Sequence, residues 1–503
     1  LVALLRKQID DLRNGRIPLP QLLVSQRLSR EIEAYRTPSP ACRAARQLAA
    51  IGKPRRPGQR IRFWLVRGEP GVHAWDLAAT VDTAVLDIDR YITLLLRAAS
   101  AVLQPLGLTE AELRQAVQSE AWQLPLCVRH GSGDTSGKDC ALVTTREASI
   151  PLSTTSCPAW VMPNADGAGY YRFALDPAGW QGLEQDFDRL NELEALATAD
   201  SLSAAYQADR LGTPEFLAVL RTLAASRFPQ VAMAPARELV KLRDYVAPAG
   251  EREKLNALMR ELYQPRLAAF GPDPLKAPPA AVPETAASVD NALFRVNLIR
   301  ALALEAEDLP LRRALAEAAK RYIRVGTADA TPDDAAVEPA LREIALRAGV
   351  QELGAPFADV LAKRMLASND IQFRTLASTA LGSTDDPVVA NQVRGLLLNP
   401  ELRAREPTTI AFGLAARPSQ RRATFDWFKA NHEAFIARTS TFGYRWLPRF
   451  GASFCSPADR DELEAFFTPL LPRLDGADRT LKETLEGIEL CGALAERKRG
   501  EWG

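Results

Sequence analysis

The sequence predicts a mainly α-helical protein with two smaller β-containing pieces towards its N-terminus. Amphipathic segments of about 10 to 18 residues follow one another after residue 178. Short apolar segments separated by turn residues occupy the stretch before it, and the first part of the chain mixes helical periodicity with a strand pattern. We therefore predict three regions, 1–117, 118–178 and 179–503.

The charge is distributed unevenly between these regions. Residues 1–117 hold 18 Lys and Arg against 11 Asp and Glu, whereas the remainder holds 45 against 51. Such asymmetry indicates that the first part meets a polyanion and the rest does not. The chain has 503 residues, of which 47% are hydrophobic, enough for several domains with their own cores.

The first region is predicted to be a small α+β unit. Apolar residues recur at helical spacing at 1–14 and 39–51, and a third helix is expected at 89–103. Between them, Ile61, Phe63 and Leu65 alternate with Arg62, Trp64 and Val66, which is typical of a strand. The first 62 residues contain 14 Lys and Arg and only 4 acids, a composition suited to phosphate groups.

The second region is predicted to form antiparallel strands. The segments WQLPLCVR, DCALVTT and CPAWVMPNADGAGYYRFAL are separated by turn residues at 131–137 and 164–169. We interpret Tyr170, Tyr171 and Arg172, at the end of the last segment, as packing residues.

No compact catalytic motif is present. The three histidines, His73, His130 and His432, form no H-E-x-x-H, and the sequence has no G-x-x-x-x-G-K-[ST], G-x-S-x-G or G-x-G-x-x-G. We therefore predict no catalytic residue, and no metal or other cofactor held by this chain.

Four residues of the second region could be imagined as a zinc tetrad: Cys127, His130, Cys140 and Cys157. Their gaps of three, ten and seventeen residues match no usual ligand spacing. Buried free thiols are one alternative, and a bridge between Cys140 and Cys157 is another if the chain is exported.

The third region is predicted to be an irregular α-solenoid, a superhelix of helix pairs in which each pair buries its apolar face against the next. Start signals recur at Thr213-Pro214, Thr331-Pro332 and Ser456-Pro457. Residues 271–288, rich in Pro and Ala, are expected to be a linker. No apolar run of about 18 residues occurs, so no membrane partner is expected.

Three stretches of the first region carry a resemblance: LVSQRLSREIEAYRTPSPACRAARQL, GKPRRPGQRIRFWLVRG and DIDRYITLLLRAASAVLQPLG. In this order they resemble the thumb of family B DNA polymerases. The resemblance implies that duplex DNA is held through its backbone phosphates. The family's palm aspartates and their magnesium ions have no counterpart here, so polymerisation is not expected.

The residues carried over as candidate phosphate contacts are Arg27, Arg30, Tyr35, Lys53, Arg55 and Arg56. Two alternatives stay open: Tyr35 is a packed aromatic residue, and the arginines form a solvated helix face.

The rest of the chain resembles M1 zinc aminopeptidases. The W-x-x-P strand followed by PNADGAGYYR resembles the end of that family's β-sandwich, which would here be truncated. Segments such as VDNALFRVNLIRALALEAED and FGASFCSPADRDELEAFF resemble its C-terminal helical domain. There, a concave superhelix caps the catalytic domain and encloses a peptide chamber. The implied partners are therefore a peptide or the missing catalytic domain, whose zinc-binding H-E-x-x-H is not in this sequence.

The same resemblance suggests particular residues. Arg445 and Arg449, in FGYRWLPRF, would face the chamber and pair with a peptide carboxylate, the alternative being ordinary surface arginines. Cys455 and Cys491 resemble a cysteine pair of exported family members, and a bridge between them would imply an oxidising compartment.

These implications place the two parts in different compartments, the first cytoplasmic and the second exported. We therefore expect a composite chain, of which the larger part is the non-catalytic end of an aminopeptidase. Because the chain starts at Leu1, a fragment is expected. The main alternative is a duplex-DNA-binding protein with a helical interaction scaffold, and a third is an intact but cryptic enzyme.

Overall fold

Most of the chain is described by a computed structural model. The described residues are 2–77, 81–103, 113–114, 123–276, 286–328 and 331–502. They divide between an N-terminal unit, residues 1–126 and 140–151, and a helical unit, residues 127–139 and 152–503. The predicted boundary at 117–118 lies outside the described residues.

The N-terminal unit combines three helices with a three-stranded antiparallel sheet in the order β1-β2-β3. Its elements are α1 (Val2–Arg13), β1 (Val24–Arg27), α2 (Pro40–Ala50), β2 (Arg60–Leu65), β3 (Val72–Ala74) and α3 (Ile88–Leu103). The helices and the strand predicted from periodicity are thus confirmed, with bounds shifted by one or two residues.

One face of the sheet in this unit is buried, and the other is exposed at its arginines, although Trp64 on that face is buried. Ile61 and Phe63 of β2 are fully buried, whereas the intervening Arg60 and Arg62 are exposed. Helix α2 packs on the buried face and contributes Ala44 and other small side chains to the same core. The period-two alternation of β2 therefore placed its arginines on the outer face.

The second predicted region forms a small antiparallel sheet in the order β5-β4-β6. Its strands are β4 (Leu124–Ser132), β5 (Thr135–Val143) and β6 (Trp160–Met162). Trp160 and Met162 of β6 are buried and begin the core of the helical unit. Tyr171 donates a hydrogen bond of 2.8 Å to the carbonyl of Pro163, as expected of a packing residue. The expectation for Tyr170 was wrong, because its side chain is fully exposed.

A buried ion pair joins this sheet to the first long helix of the helical unit. Arg129 of β4 donates to both carboxylate oxygens of Glu194, at 2.8 and 2.5 Å, and lies over the ring of Trp160. Glu194 also accepts the backbone N–H of Asn191, while the Asn191 side chain accepts the N–H of Glu194. A capping box that starts a helix is therefore also the anchor of the sheet.

The helical unit continues as a long series of helices. They are α4 (Pro177–Gln185), α5 (Glu192–Gln207), α6 (Thr213–Ala225), α7 (Pro229–Lys241), α8 (Arg252–Ala268), α9 (Ala286–Arg300), α10 (Leu309–Tyr322), α11 (Arg342–Ala367), α12 (Ile371–Leu381), α13 (Pro387–Leu396), α14 (Glu406–Ala416), α15 (Arg421–Arg438), α16 (Thr441–Tyr444), α17 (Pro457–Phe467) and α18 (Ala477–Lys498). None of the described helices combines the length and the apolar character needed to span a bilayer.

Consecutive helices pack against each other along this series. The most extensive pairings are α10 with α11 and α11 with α12, and a single set of buried apolar side chains extends from Trp160 to Ile488. Short π-helical turns, at 242–246 and 301–305, end α7 and α9. Inside α11 the backbone breaks at Gly354, whose φ of 66° is favourable only for glycine.

The structure agrees with some of the predicted helix starts and with part of the predicted linker. Ser456 caps α17, as predicted. Helix α6 begins at Thr213, but its N-cap is Gly212 and no side chain caps it, so the capping hydroxyl predicted there was wrong. No helix starts at Thr331-Pro332, so that prediction was wrong; instead, the backbone N–H of Asp333 bonds the carbonyl of Tyr322 at 2.8 Å. Within the predicted linker, helix α9 already begins at Ala286, and residues 277–285 lie outside the described residues.

Candidate functional site

Arg445 and Arg449 both lie over one aromatic ring. The guanidinium carbon of Arg445 is 5.4 Å from the ring centroid of Trp446, and that of Arg449 is 4.5 Å from it. Arg449 is exposed and Arg445 is half-buried, within the turn that follows α16. The arrangement places both guanidinium groups within 5.4 Å of the centroid of one ring.

The exposed sheet face of the N-terminal unit carries a second group of cations. Arg27 of β1 lies directly opposite Arg60 of β2, and Ser25 lies opposite Arg62. The guanidinium of Arg62 is 5.5 Å from the ring centroid of Trp75, which is partly exposed. Like charges on cross-strand neighbours repel each other, so this face favours an anionic partner.

Two of the predicted phosphate contacts in this unit are already held by an acid. Arg55 donates a 2.5 Å hydrogen bond to the carboxylate of Asp76, and the Lys53 ammonium donates one of 3.1 Å to the Asp76 carbonyl. Arg30 and Arg56 are exposed, as Arg27 is. The structure therefore brings the six predicted residues into one unit but leaves them in different surroundings.

Tyr35 organises the chain around it. Its hydroxyl accepts the backbone N–H of Ser29 at 2.9 Å and that of Arg30 at 3.3 Å, and shares a hydrogen bond with the Ser29 hydroxyl. The hydrogen bond to the Ser29 side chain, with the two backbone bonds, holds the pKa of Tyr35 below its usual value. The hydroxyl of Tyr35 therefore has a structural role within residues 29–35.

The cysteines and His130 do not form the imagined tetrad. Cys127 and Cys140 are each in a disulfide, whereas Cys157 is free and exposed, so a Cys140–Cys157 bridge was a wrong expectation. His130 is buried, and its Nε2 shares a 2.9 Å hydrogen bond with Asp139. Among the described residues, no group of three or more His, Cys, Asp or Glu side chains is placed to hold a metal ion.

Cys455 and Cys491 are joined by a disulfide, with their Cα atoms 5.1 Å apart. The bond ties the segment before α17 to the terminal helix α18. It closes a loop with a sequence separation of 36 residues.

The helical unit also contains a half-buried cluster of charges that the sequence did not reveal. We call it the arginine cluster, and its members are Arg243, Asp244, Arg300, Glu305, Arg312, Glu343, Arg347, Asp385 and Arg417. These residues come from the two π-helical turns, from α9, α10 and α11, and from the segments flanking α13 and α14. The members are spread over a long stretch of the sequence, so the cluster becomes visible only in the folded structure.

The members of the arginine cluster differ in how well they are paired. Burial lowers the pKa of Arg243, but hydrogen bonds to Asp244 and the charge of Glu305 outweigh this and raise it. For Arg417 the charge of Asp385, its hydrogen-bond partner, likewise outweighs burial. Burial dominates at Arg312 and Arg347, whose pKa values are lowered.

Two adjoining clefts lie among the first helices of the helical unit. One, of about 650 Å³, lies among α5, α6 and α7, and the other, of about 450 Å³, extends to α18. They share the side chains of Gln207, Phe216, Glu238 and Lys241. Both apolar and charged side chains line these clefts.

Comparison with known protein families matches residues 160–490 to the ERAP1-like C-terminal domain. The match begins at the first residue of β6 and ends within α18, so it includes nearly all of the helical series. No curated protein matches the chain. Neither comparison supports the polymerase resemblance of residues 1–117. Because the match covers well over half of the 503 residues, the chain belongs to the family of ERAP1-like C-terminal domains, which are the C-terminal domains of M1 aminopeptidases.

Proposed function

We propose that the helical unit is a non-catalytic cap that closes the peptide chamber of an M1-type aminopeptidase. The observation that carries the proposal is the family match over residues 160–490. The intact anchor between Arg129 and Glu194 supports it, because this anchor holds the last strands of the sheet onto the helices. Hydrolysis would then require a catalytic region that supplies the zinc site.

In this proposal the ring of Trp446 positions Arg445 and Arg449 to receive a peptide carboxylate. A carboxylate shared by two guanidinium groups gains charge-assisted hydrogen bonds from both. Because the ring holds the side chains in place, less conformational freedom is lost on binding. The two clefts beside α7 would accommodate the rest of a short peptide.

The proposal is tested by binding of a fluorescent peptide to the full chain, measured by anisotropy. We expect saturable binding that is weakened about tenfold when Arg445 and Arg449 are both replaced by alanine. Arg479→Ala is the matched control, because Arg479 is exposed and pairs with Glu483 within α18. Undiminished peptide binding in the double variant would show that these arginines are not the contact.

A second measurement addresses catalysis. Incubation of the chain with zinc and a chromogenic amino-acid amide should release no chromophore, because the proposed cap carries no zinc-binding H-E-x-x-H. Zinc-dependent release that disappears on chelation would instead favour a cryptic enzyme.

Duplex-DNA binding by the N-terminal unit is the second candidate function, favoured by the arginines on its exposed sheet face. Binding of the full chain to a DNA duplex should then weaken steeply with salt, with a slope of about −0.9 for each phosphate contacted. Arg27→Ala with Arg60→Ala should reduce both affinity and slope. Arg46→Ala is the control, since Arg46 is exposed on α2, which packs against the opposite face of the sheet.

The proposed origin of the chain is a join between a polymerase-thumb-like segment and the aminopeptidase end. The opposite charge of the two parts supports it. Sequencing of the genomic DNA across codons 110–125, with its flanking reading frames, would test it directly. Two unrelated frames that meet within these codons are expected, and one uninterrupted frame in independent isolates would contradict the join.

A further inference from the structure

Arg347 is the least satisfied member of the arginine cluster. Its nearest carboxylate oxygens, on Glu343 and Glu305, lie 3.5 and 4.0 Å away, which is too far for good hydrogen bonds. Its Nε is buried without a hydrogen-bond partner among the described residues, and its side chain is only 17% exposed. A guanidinium largely removed from water with its Nε donor unused is costly, so the site favours an additional acceptor.

A second guanidinium with unused donors belongs to the same cluster. Arg312 donates from Nε to the carbonyl of Ala303 at 2.8 Å, within the π-helical turn that also carries Glu305. Burial lowers the pKa of Arg312, and the charges of Glu307 and Glu352 offset only part of this effect. The hydrogen bond of its side chain is made by Nε, which leaves the terminal nitrogens for another acceptor.

An unused acceptor lies one helical turn from Arg347. Gln351 follows Arg347 at the i+4 position on α11, so their side chains share a face of the helix. Its amide nitrogen donates to the carbonyl of Ser383 at 2.9 Å, but its Oε1 is buried without a partner among the described residues. A ligand here would thus meet cationic donors and one acceptor.

The cluster contains more guanidinium groups than carboxylates. It has five guanidinium groups and four carboxylates. The two best-paired arginines, Arg243 and Arg417, form ion pairs with Asp244 and Asp385. Arg300 takes the shorter contact to Glu343, at 2.8 Å against 3.5 Å for Arg347. Arg347 is therefore left with the longer carboxylate contacts, whereas Arg312 is also subject to the charges of Glu307 and Glu352, outside the cluster.

We propose that the arginine cluster binds a small oxyanion, a carboxylate or phosphate group, between Arg347 and Arg312, with Gln351 accepting a hydrogen bond from the ligand. The oxyanion supplies the acceptors that Arg347 lacks. A protonated phosphate oxygen, or an N–H next to a carboxylate, supplies the donor that Gln351 Oε1 lacks. Nothing in this inference depends on the peptide-cap proposal, because it concerns different side chains from Arg445 and Arg449.

The test is ligand-induced thermal stabilisation of the full chain, with direct calorimetric titration as the second readout. The probes are inorganic phosphate, acetate, and one acetylated dipeptide as its free acid and as its amide, all at equal ionic strength. Saturable stabilisation by at least one oxyanion is expected, since a ligand that binds only the folded state raises its stability. Stabilisation by the free acid but not the amide identifies a peptide end, and stabilisation by phosphate alone identifies a free inorganic anion; either result supports the site.

Two variants of Arg347 test whether this residue is responsible for the binding of the oxyanion. Arg347→Gln should weaken the apparent affinity about tenfold, and Arg347→Lys should restore part of it. Arg313→Gln is the matched control, because Arg313 is exposed on α10 and pairs with Glu352. If calorimetry of the unmodified chain shows no saturable binding of any probe, or if Arg347→Gln and Arg313→Gln bind the probe equally well, the inference is overturned.

Discussion

Arg374 and Glu406 form a buried ion pair with two parallel hydrogen bonds of 2.6 Å, one from Nε and one from Nη2. The pair joins α12 to the first residue of α14, and both side chains are almost fully excluded from solvent. Arg374 also donates to backbone carbonyls at the end of α11, including that of Met365 at 2.7 Å. One guanidinium therefore connects α11, α12 and α14.

We predict that Arg374→Met lowers the free energy of unfolding by about 3–5 kcal/mol, because it leaves a buried carboxylate and several carbonyls without donors. The loss should be visible as a lower urea midpoint in far-ultraviolet circular dichroism. Arg313→Met serves as the control, since the exposed pair of Arg313 with Glu352 is worth little. Equal midpoints for the two variants would contradict the assigned role of Arg374.

The contrast between Arg374 and the elements that were predicted shows what the sequence can and cannot reveal. The alternation around Ile61 and the periodicity of residues 39–51 are local patterns, so they placed β2 and α2 correctly. The Thr331-Pro332 signal failed although Pro is favourable in the first turn, because here tertiary contacts determined the backbone. Local residue preferences are weak compared with such contacts.

The candidate sites were harder to predict for the same reason. Phosphate contacts were assigned to Lys53 and Arg55 from the polymerase resemblance and the basic composition. In the structure Lys53 bonds the backbone carbonyl of Asp76 and Arg55 bonds its carboxylate, more than 20 residues away in sequence. The arginine cluster was missed because its members are spread from residue 243 to residue 417. The sequence alone does not show which arginines find a carboxylate partner after folding. In the structure several arginines do, whereas Nε of Arg347 is buried without a hydrogen-bond partner among the described residues.

The end of the chain should make the stability of the helical unit sensitive to acid. The buried Lys498 ammonium contacts Asp209 at 2.7 Å and Glu501 at 2.9 Å. Its hydrogen bond holds the pKa of Asp209 below the ordinary value. Burial raises the pKa of Glu501, but hydrogen bonds from Thr213 and Lys498 outweigh it, so this pKa is also lowered.

A lowered carboxylate pKa contributes stability above the unfolded-state pKa, and this stability is lost as the pH falls through the folded-state pKa. The ordinary values are 3.8 for Asp209 and 4.5 for Glu501, so the loss should begin near the higher value and continue below the lower one. We predict that Lys498→Met destabilises the chain at neutral pH and flattens this acid dependence. Urea midpoints measured between about pH 7 and about pH 3 give the comparison.

Arg499→Met is the control for Lys498, because Arg499 is exposed and pairs with the exposed Glu496. Its acid dependence should match that of the unmodified chain. If Lys498→Met keeps the full acid dependence, other carboxylates must be responsible for it.

The disulfide between Cys455 and Cys491 should stabilise the end of the helical unit. A closed loop with a separation of 36 residues restricts the unfolded chain, and its loss is expected to cost about 3–4 kcal/mol. Replacing both cysteines by serine should therefore lower the thermal midpoint, whereas Cys157→Ser should not, because Cys157 is free and exposed.

Thiol titration gives an independent check of the cysteine states. Cys42 and Cys157 are the free cysteines, so the unreduced chain should titrate two thiols in denaturant, before and after the double replacement. A thiol count that falls by two on the double replacement would mean that Cys455 and Cys491 are not bridged when the protein is made, and the stability difference should then vanish as well.

Charge reversal on the exposed sheet face of the N-terminal unit should change its stability and its affinity for duplex DNA in opposite directions. Arg27 lies directly opposite Arg60, so Arg27→Glu converts a repulsive cross-strand pair into an attractive one and should stabilise the unit by about 0.2–1 kcal/mol. The same change should weaken duplex-DNA binding, because it removes one cation and adds one anion on this face. Arg46→Glu changes the net charge equally, but from α2 on the other side of the sheet, and should leave the affinity for DNA nearly unchanged. Thermal midpoints and DNA anisotropy at low salt measure the two effects, and an equal loss of DNA affinity in both variants would show that overall charge, not this face, binds the duplex.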